Sequence, residues 1–375
     1  MKIISLTNCP LDPRLGSGKT VLRWSEGLRN LGHVVEVYEP KDYQLWQGIR
    51  RGMKFRLAGG AWSCFKNKIQ VGKYDLVEFY GDEFWLLLTH LTAQKKRPFL
   101  IAHTNGLELL HRDRARVYNP PQSLRERAYN RFAEQTHDRF SRIAFNRVDA
   151  FVSICELDRR YVLDRNLYPP EKTAVVEPGL DSEYLSIPFS QPRQNRLAYV
   201  GSWTPRKGLD QLCTVASAIL TRHPQLVFDL YGTNISPDVV INAFPVELRT
   251  RIVVYPHLST ADIAQGLAKA KIFFFPSQYE GFGMAVAEAM ACGCAVVTTP
   301  TGFGADLKSG REATICDFDD TEAMERAIDR LLTDETFRLK IARSGYERVK
   351  NLRWDLAVRQ LEQTYLNWLS QWHQS

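Results

Sequence analysis

No window of the sequence approaches the roughly 18 uninterrupted apolar residues that a membrane-spanning helix needs. Met1 to Leu6 is too short for a signal-peptide core and is soon followed by Asn8 and Pro10, so a cytoplasmic protein is expected. Cysteine stands at positions 9, 64, 155, 213, 292, 294 and 316, but the spacing is irregular, Cys292 and Cys294 form no Cys-x-x-Cys pair, and no second Cys/His cluster accompanies them. This argues against a structural zinc and for small core thiols in a reducing compartment. The loop Gly16-Ser17-Gly18-Lys19-Thr20 lacks a P-loop's first glycine, because Pro13 stands there, and no clear Mg²⁺-binding acidic strand end follows. An ATPase is therefore set aside. The Arg-rich run from His111 to Arg147, interrupted by Asn119-Pro120-Pro121, belongs to no recognisable nucleic-acid module. No nucleic-acid partner is expected, and an acceptor or membrane face is the more plausible use of those arginines.

What is present is ordinary globular composition, 44% apolar and 24% charged. At 375 residues the chain exceeds what one core usually supports, so two domains are expected. The net charge of +7 is unevenly spread, with 29 Lys and Arg against 22 Asp and Glu in residues 1–190 and 20 against 20 in the remainder. Within the basic half, residues 41–70 mix Arg50, Arg51, Lys54, Arg56, Lys66 and Lys68 with Trp46, Phe55, Leu57, Trp62 and Phe65. Such a stretch is either a face for anionic lipid, each cation contributing on the order of 1 kcal/mol, or a solvated face beside core aromatics. The composition leaves both open.

The most informative stretch runs from Ser277 to Thr299. Lys271 to Pro276 ahead of it is a Phe- and Ile-rich run that reads as a strand buried on both faces, and Ala295 to Val297 begins another. Between them Met284 to Cys292 is rich in helix formers, with Gly293 at the C-cap position. Gly281 and Gly283 let backbone N–H groups approach a ligand at the positive end of that helix, which makes an anion site. Glu280 and Glu288, eight residues apart, suit one carboxylate at each end of a ligand whose anionic middle rests on the turn, and a nucleotide-sugar has that layout, with ribose hydroxyls, a diphosphate and then sugar hydroxyls.

The remainder alternates strands and helices. Lys2 to Thr7, a helix carrying Val21, Trp24, Leu28 and Leu31, and Val34 to Tyr38 form a βαβ unit. Tyr74 to Tyr80, Pro98 to Ala102, Ala150 to Cys155 and Thr173 to Val176 are further strands, and His103 follows one of them at a carboxyl end, where open α/β sheets bind ligands. Ser182 to Asn195 reads as a linker. The pattern restarts at Leu197 to Val200 and leads through Pro205-Arg206-Lys207-Gly208 into a helix with Leu209, Leu212, Val215 and Ile219 on its apolar stripe. Asp317-Phe318-Asp319 runs straight into a helix from Thr321, so Asp319 or Asp320 is an N-cap rather than part of a metal site.

The two glutamates with their flanking Pro-Ser, Glu-Gly-Phe-Gly and Glu-Ala-Met-Ala-x-Gly resemble the retaining family 4 glycosyltransferases of the GT-B fold. Glu177-Pro178-Gly179-Leu180-Asp181 resembles that family's closing turn of the first domain, and Trp354 to Trp368 its crossing C-terminal helix. The resemblance implies an α/β protein of two doubly wound Rossmann-like domains facing across a cleft, residues 1–185 completed by 354–375, and residues 196–350. It implies a hexosyltransferase that moves sugar from UDP-sugar or GDP-sugar to a hydroxyl on a saccharide, glycolipid or lipid-linked acceptor, without metal or cofactor. Arg206 and Lys207 would neutralise the diphosphate, Glu280 would bind sugar hydroxyls, Glu288 the ribose, and His103 would contact the donor sugar. Gly281, Phe282 and Gly283 with Gly16 and Gly18 would complete the donor site. Gly302-Phe-Gly304-Ala-Asp306 departs from the family's Gly-Gly and Glu, which leaves no role for Asp306. The alternatives on this fold are a sugar-nucleotide epimerase and a non-catalytic binding protein. The basic first half adds the inner membrane face as a docking surface.

Overall fold

A computed structural model describes residues 1–374 apart from 14, 50, 51, 71, 119–122 and 191, and leaves the side chains of 133, 134 and 137 undescribed. Arg50, Arg51 and the Asn119-Pro120-Pro121 break thus lie outside the described residues. The chain divides into two compact units, Met1–Pro178 with Trp354–Ser375, and Gly179–Arg353.

The first unit is built on a parallel sheet of β1 (Lys2–Thr7), β2 (Val34–Tyr38), β3 (Leu76–Tyr80), β4 (Phe99–His103), β5 (Ala150–Ser153) and β6 (Thr173–Val175), in the order β2-β1-β3-β4-β5-β6. Every residue of β3 and β4 is buried, as expected for inner strands covered on both faces, and this buries Glu78 and His103 along with their apolar neighbours. The helix Gly16–Asn30 buries Val21, Trp24 and Leu28 at helical spacing. It starts earlier than its apolar stripe, so Gly16 to Thr20, read above as a loop, are its first turns. An added Cβ at Gly18 would lie 2.5 Å from the Pro10 carbonyl oxygen, which is why the helix start packs directly on the backbone of residues 10–12. The last helix, Trp354–Gln374, belongs to this unit: Gln360 donates to the Val175 carbonyl at 2.8 Å and Trp368 to that of Glu171 at 3.1 Å.

The second unit holds β7 (Gln194–Val200), β8 (Val227–Tyr231), β9 (Ile252–Tyr255), β10 (Ala270–Phe275), β11 (Ala295–Thr298) and β12 (Thr314–Ile315), all parallel, in the order β12-β11-β10-β7-β8-β9. The chain builds outward from β7 to β9 and then returns to the other side of β7, so the strand order reverses between β7 and β10. Ligands of open α/β sheets bind beyond the carboxyl ends of strands at such a switch point. Asp320 accepts from the Ala323 N–H at 2.8 Å and Ser259 from that of Asp262 at 3.1 Å, so both act as helix N-caps.

The structure begins the second unit earlier than the sequence does. Within the expected linker, Ser182–Leu185 is a helix, Tyr184 and Ile187 are buried, and the buried Arg193 guanidinium donates to the carbonyls of Leu267, Ala270 and Cys292 at 3.3, 3.0 and 2.6 Å. Single long side chains buried this way leave no periodicity in a sequence.

Candidate active site

At the end of β7 the chain turns through Pro205–Lys207 into the helix Leu209–Arg222, and at the end of β10 it passes Pro276 and Ser277 to Glu280. Gly208 joins the two. It sits at φ 71°, and any side chain there would overlap the Pro276 carbonyl. Only glycine lets the β7 turn rest on the end of β10, and the Gln278 N–H then donates to the Arg206 carbonyl at 2.9 Å.

That contact sets the charges. Lys207 Nζ lies 2.7 Å from Glu280 Oε1, and the buried Ser277 hydroxyl donates to the same oxygen at 2.6 Å. Arg206 donates from Nη1 to the Tyr279 carbonyl at 2.6 Å and stands 3.8 Å from Glu280 Oε1. The Glu280 N–H donates to Thr301 Oγ1 at 2.8 Å. Burial by itself would raise the Glu280 pKa, but the charges of Lys207 and Arg206 and the two hydrogen bonds outweigh it and hold the carboxyl below its ordinary value. The residue is therefore an ionised acceptor, buried except for an edge, beside a guanidinium that is 40% exposed.

Beyond Glu280, Gly283 at φ 88° caps the helix Met284–Ala291, so the turn's backbone lies at a helix start as its sequence implies. The Phe282 ring is taken up in a stack on Phe303, centroids 5.0 Å apart, with the Phe303 N–H on the Phe282 carbonyl. It supports the turn from within the core. Glu288 is buried on this helix and accepts a hydrogen bond from Tyr184, whose hydroxyl is held as a donor because burial, followed by the charge of Glu288, pushes its pKa up. Tyr184 went unnoticed in the sequence, where it sits in a supposed linker three residues after Asp181.

Gly16, Gly18 and His103 belong to the first unit, and there Ser17 and His103 line one cavity of about 180 Å³ beyond the carboxyl ends of β1, β3 and β4, together with Asn8, Asp82, Glu83 and Asn105. His103 is fully buried, stacks on Tyr80 with centroids 4.5 Å apart, and brings Nε2 within 2.5 Å of the Tyr365 hydroxyl. Among the described residues its Nδ1 meets no hydrogen-bond partner. Burial lowers its pKa to about 3, so it is a neutral imidazole. Behind it, the hydroxyls of Ser5, Tyr80 and Tyr365 all donate to the buried Glu78 carboxyl, whose pKa burial raises against the lowering effect of those bonds. At the cavity wall Glu83 accepts from Asn8 at 2.8 Å and is pushed up to about 7 by burial and the neighbouring Asp82.

The basic stretch at residues 41–70 resolves into the helices Pro40–Tyr43 and Met53–Phe65. Arg56 is buried with its guanidinium on the carbonyls of Leu45, Trp46 and Ile49. Lys54 pairs with Asp82, Lys68 with Glu36, and Lys66 lies over the Trp62 ring. Phe65 and Leu57 are core residues, whereas Trp46 and Phe55 are exposed. Among the described residues no helix is long and apolar enough to cross a membrane, and no group of three or more His, Cys, Asp or Glu is placed to hold a metal.

Comparison with known proteins agrees with this architecture. Residues 15–184 match the family model described as Glycosyltransferase Family 4, and residues 183–348 match Glycosyl transferases group 1. An uncharacterized glycosyltransferase, YqgM, of Bacillus subtilis is 28% identical over 56% of this chain and 59% of its own length. A D-inositol 3-phosphate glycosyltransferase of Salinispora tropica is 26% identical over 58% of this chain and 50% of its own. The chain thus spans about half the length of these curated relatives. Among solved structures, a sucrose-phosphate synthase from Thermosynechococcus elongatus superposes with a TM-score of 0.75 at 20% identity, covering 99% of this chain and 100% of its own. Anabaena HepE in complex with UDP and glucose superposes at 0.69 and 15% identity over 98% and 100%. With a family 4 model followed by a group 1 model over two parallel-sheet units, the chain belongs to the glycosyltransferases of the GT-B fold.

Proposed function

We propose that the protein is a retaining hexosyltransferase that moves a sugar from a nucleoside diphosphate to an acceptor hydroxyl. The observation that carries this reading is the convergence of Arg206, Lys207 and Glu280 with the Gly281–Gly283 helix start at the switch point of the second sheet. A diphosphate has two features to satisfy there, its charge and its oxygen acceptors. The exposed Arg206 guanidinium and the turn amides answer both, and the UDP present in the HepE complex is such a group. Glu280, kept ionised by Lys207, accepts hydrogen bonds from hydroxyls of the transferred sugar, and Glu288 accepts those of the ribose.

In the step itself the bond from the anomeric carbon to the β-phosphate oxygen breaks. A bond to the acceptor oxygen forms on the same face, and the acceptor's proton passes to the departing phosphate. Negative charge grows on the leaving oxygen, and Arg206, Lys207 and the turn amides stabilise it, which is the work a metal does elsewhere. Removing one such donor costs on the order of 3 kcal/mol in the barrier, roughly a hundredfold or more in rate.

The test is release of UDP or GDP from a panel of nucleotide-sugars with and without acceptors, run in EDTA, on wild type and on Arg206→Ala and Glu280→Ala. We expect release in wild type and its loss in both variants at unchanged folding. Unchanged release in both removes the site assignment, and donor binding with no product under any acceptor identifies a binding protein.

A further inference from the structure

Two basic stretches of the first unit are open to an outside partner by sequence, residues 41–70 and the arginine-rich run after His111, and their charges are used differently. In residues 41–70 the described cations mostly serve the fold: Arg56 is buried on backbone carbonyls, Lys54 pairs with Asp82, Lys68 pairs with Glu36, and Lys66 lies over the Trp62 ring. After His111, Arg112 and Arg116 pair with Asp138, and Arg165 pairs with Asp113. Arg125, Arg127, Arg131, Arg139 and Arg142 do not follow them. All five are exposed, and among the described residues none pairs with a carboxylate.

These arginines stand along one continuous helix, made of Leu124–Ala133, a π-helical turn Glu134–Asp138, and Arg139–Phe145. Its last turns are anchored, with Ser141, Ala144 and Phe145 buried and the Ser141 hydroxyl donating to Asp82. Their outward face sets Arg139, Arg142 and Arg147 around Ile143 in an open depression of about 620 Å³. The first turns are formed but uncovered. Ser123 Oγ accepts the Glu126 N–H at 3.1 Å and the Glu126 carboxylate accepts the Ser123 N–H at 3.2 Å, a capping box that starts the helix. Yet every residue from Ser123 to Tyr129 is exposed, and so are Arg131 and Phe132. Leu124, Ala128 and Phe132 recur at i, i+4 and i+8, the stripe that a globular protein turns towards its core. Here Leu124 is 81% and Phe132 64% exposed, with Arg127 and Arg131 alongside at i+3 and i+7. A partner for this helix must therefore supply negative charge and an apolar edge together. A nucleic acid would take the arginines and leave Leu124 and Phe132 in water, whereas an anionic bilayer receives both.

We propose that the helix Leu124–Phe145 docks the first unit on a bilayer of anionic lipid, with Leu124 and Phe132 entering the boundary between headgroups and acyl chains and the five free arginines binding lipid phosphates. This moves the lipid-facing surface away from residues 41–70, and it does not rest on the transferase reading. The inward side of the same helix meets the first-unit cavity, which Phe145 and Asp82 line. That cavity thus stands one helix thickness, about 10 Å, behind the docking face.

The experiment floats the full chain, without nucleotide-sugar, with phosphatidylcholine vesicles that contain or lack phosphatidylglycerol, at low and high salt. We expect binding to the anionic vesicles on the order of tenfold or more above the neutral ones, falling as salt rises. Arg139→Gln with Arg142→Gln should weaken it about 25-fold, roughly fivefold per arginine. Lys41→Gln with Lys66→Gln removes the same net charge elsewhere and should leave binding within about twofold of wild type. Leu124→Ser with Phe132→Ser should weaken it on the order of tenfold while the salt dependence stays. The arginine and apolar side chains changed are exposed, so unchanged melting temperatures are expected and are checked. Equal binding of wild type to both vesicles, or none, overturns the proposal, as does a lysine pair that weakens binding as much as the arginine pair. So does a Leu124→Ser, Phe132→Ser chain that floats like wild type, which leaves the arginines to a nucleic acid or another soluble polyanion. The same holds if that chain turns a solution dimer into monomers with lipid binding intact, which assigns the stripe to a second copy. Release of UDP or GDP from soluble donors is measured on the same variants and should match wild type, so loss of docking and loss of the transferase reading are told apart.

Discussion

The two candidate sites, one in each unit, are built by opposite means. In the second unit the site is made of backbone: Gly208 and Gly283 at positive φ let two strand ends and a helix start meet, and Lys207 reaches Glu280 as a consequence. In the first unit it is made of side chains held by side chains, with His103 braced by Tyr80, Tyr365 and Glu78. One region presents exposed cationic donors and the other buried acceptors. A backbone-built site is preset and tolerates little substitution at its glycines, while a side-chain relay is tuned by its protons and answers to pH.

The comparison breaks most visibly at Lys207. Lys207→Ala is expected to reduce turnover on the order of a hundredfold or more, and to leave burial as the main influence on Glu280, so that the acid limb of the pH–rate profile moves upward. Steady-state kinetics from pH 4 upward would check this. An unmoved acid limb would show that the pairing does not govern Glu280.

Next in size is the backbone itself. Gly208→Ala adds a left-handed alanine and an overlap with the Pro276 carbonyl, so a loss of roughly 1–3 kcal/mol is expected, read from urea unfolding, together with weakened diphosphate binding.

The pH response of the first unit is a smaller and sharper test. Neutral His103, with a folded value near 3 against 6.5 unfolded, contributes stability that is present above pH 6.5 and lost as pH falls toward 3. Glu83, with a folded value near 7 against 4.5, contributes stability present below pH 4.5 and lost as pH rises through 7. The two slopes oppose each other between pH 4.5 and 6.5. Glu83→Gln removes the falling one, so its stability relative to wild type should climb with pH across that window by up to about 1.4 kcal/mol per pH unit. Denaturation midpoints measured in parallel would show it.

The smallest effect lies outside both regions. Asp320→Ala should cost about 1 kcal/mol by removing a helix cap, with diphosphate binding unchanged. It calibrates the other stability losses.

The same contrast explains what the sequence could tell. The stretch around Glu280 is local, and its strands and helix were legible to within a residue or so: Ala270–Phe275 against an expected Lys271 to Pro276, and Met284–Ala291 against Met284 to Cys292. The partners of His103 were not, because Tyr365 stands 262 residues away in the chain and no pattern links them. The helix Met53–Phe65 was missed for a related reason. Gly59-Gly60 weakens its periodicity, and Gly60 is there because a side chain would overlap the Tyr43 carbonyl, a contact made only in the fold. Arg56 likewise counted as a surface cation until its three carbonyl partners were seen.

The first unit is assembled from two stretches of sequence separated by the whole of the second unit, with Trp354–Gln374 packed on residues 1–178. During synthesis residues 1–178 must therefore leave the ribosome, and the whole of the second unit be made, before the helix from Trp354 arrives to cover Gly27 with Val358 and to hand Tyr365 to Glu78. Until then the nascent chain carries an uncovered apolar seam and an unbraced imidazole, and it stays exposed to aggregation and proteolysis for the whole time that the second unit is being made.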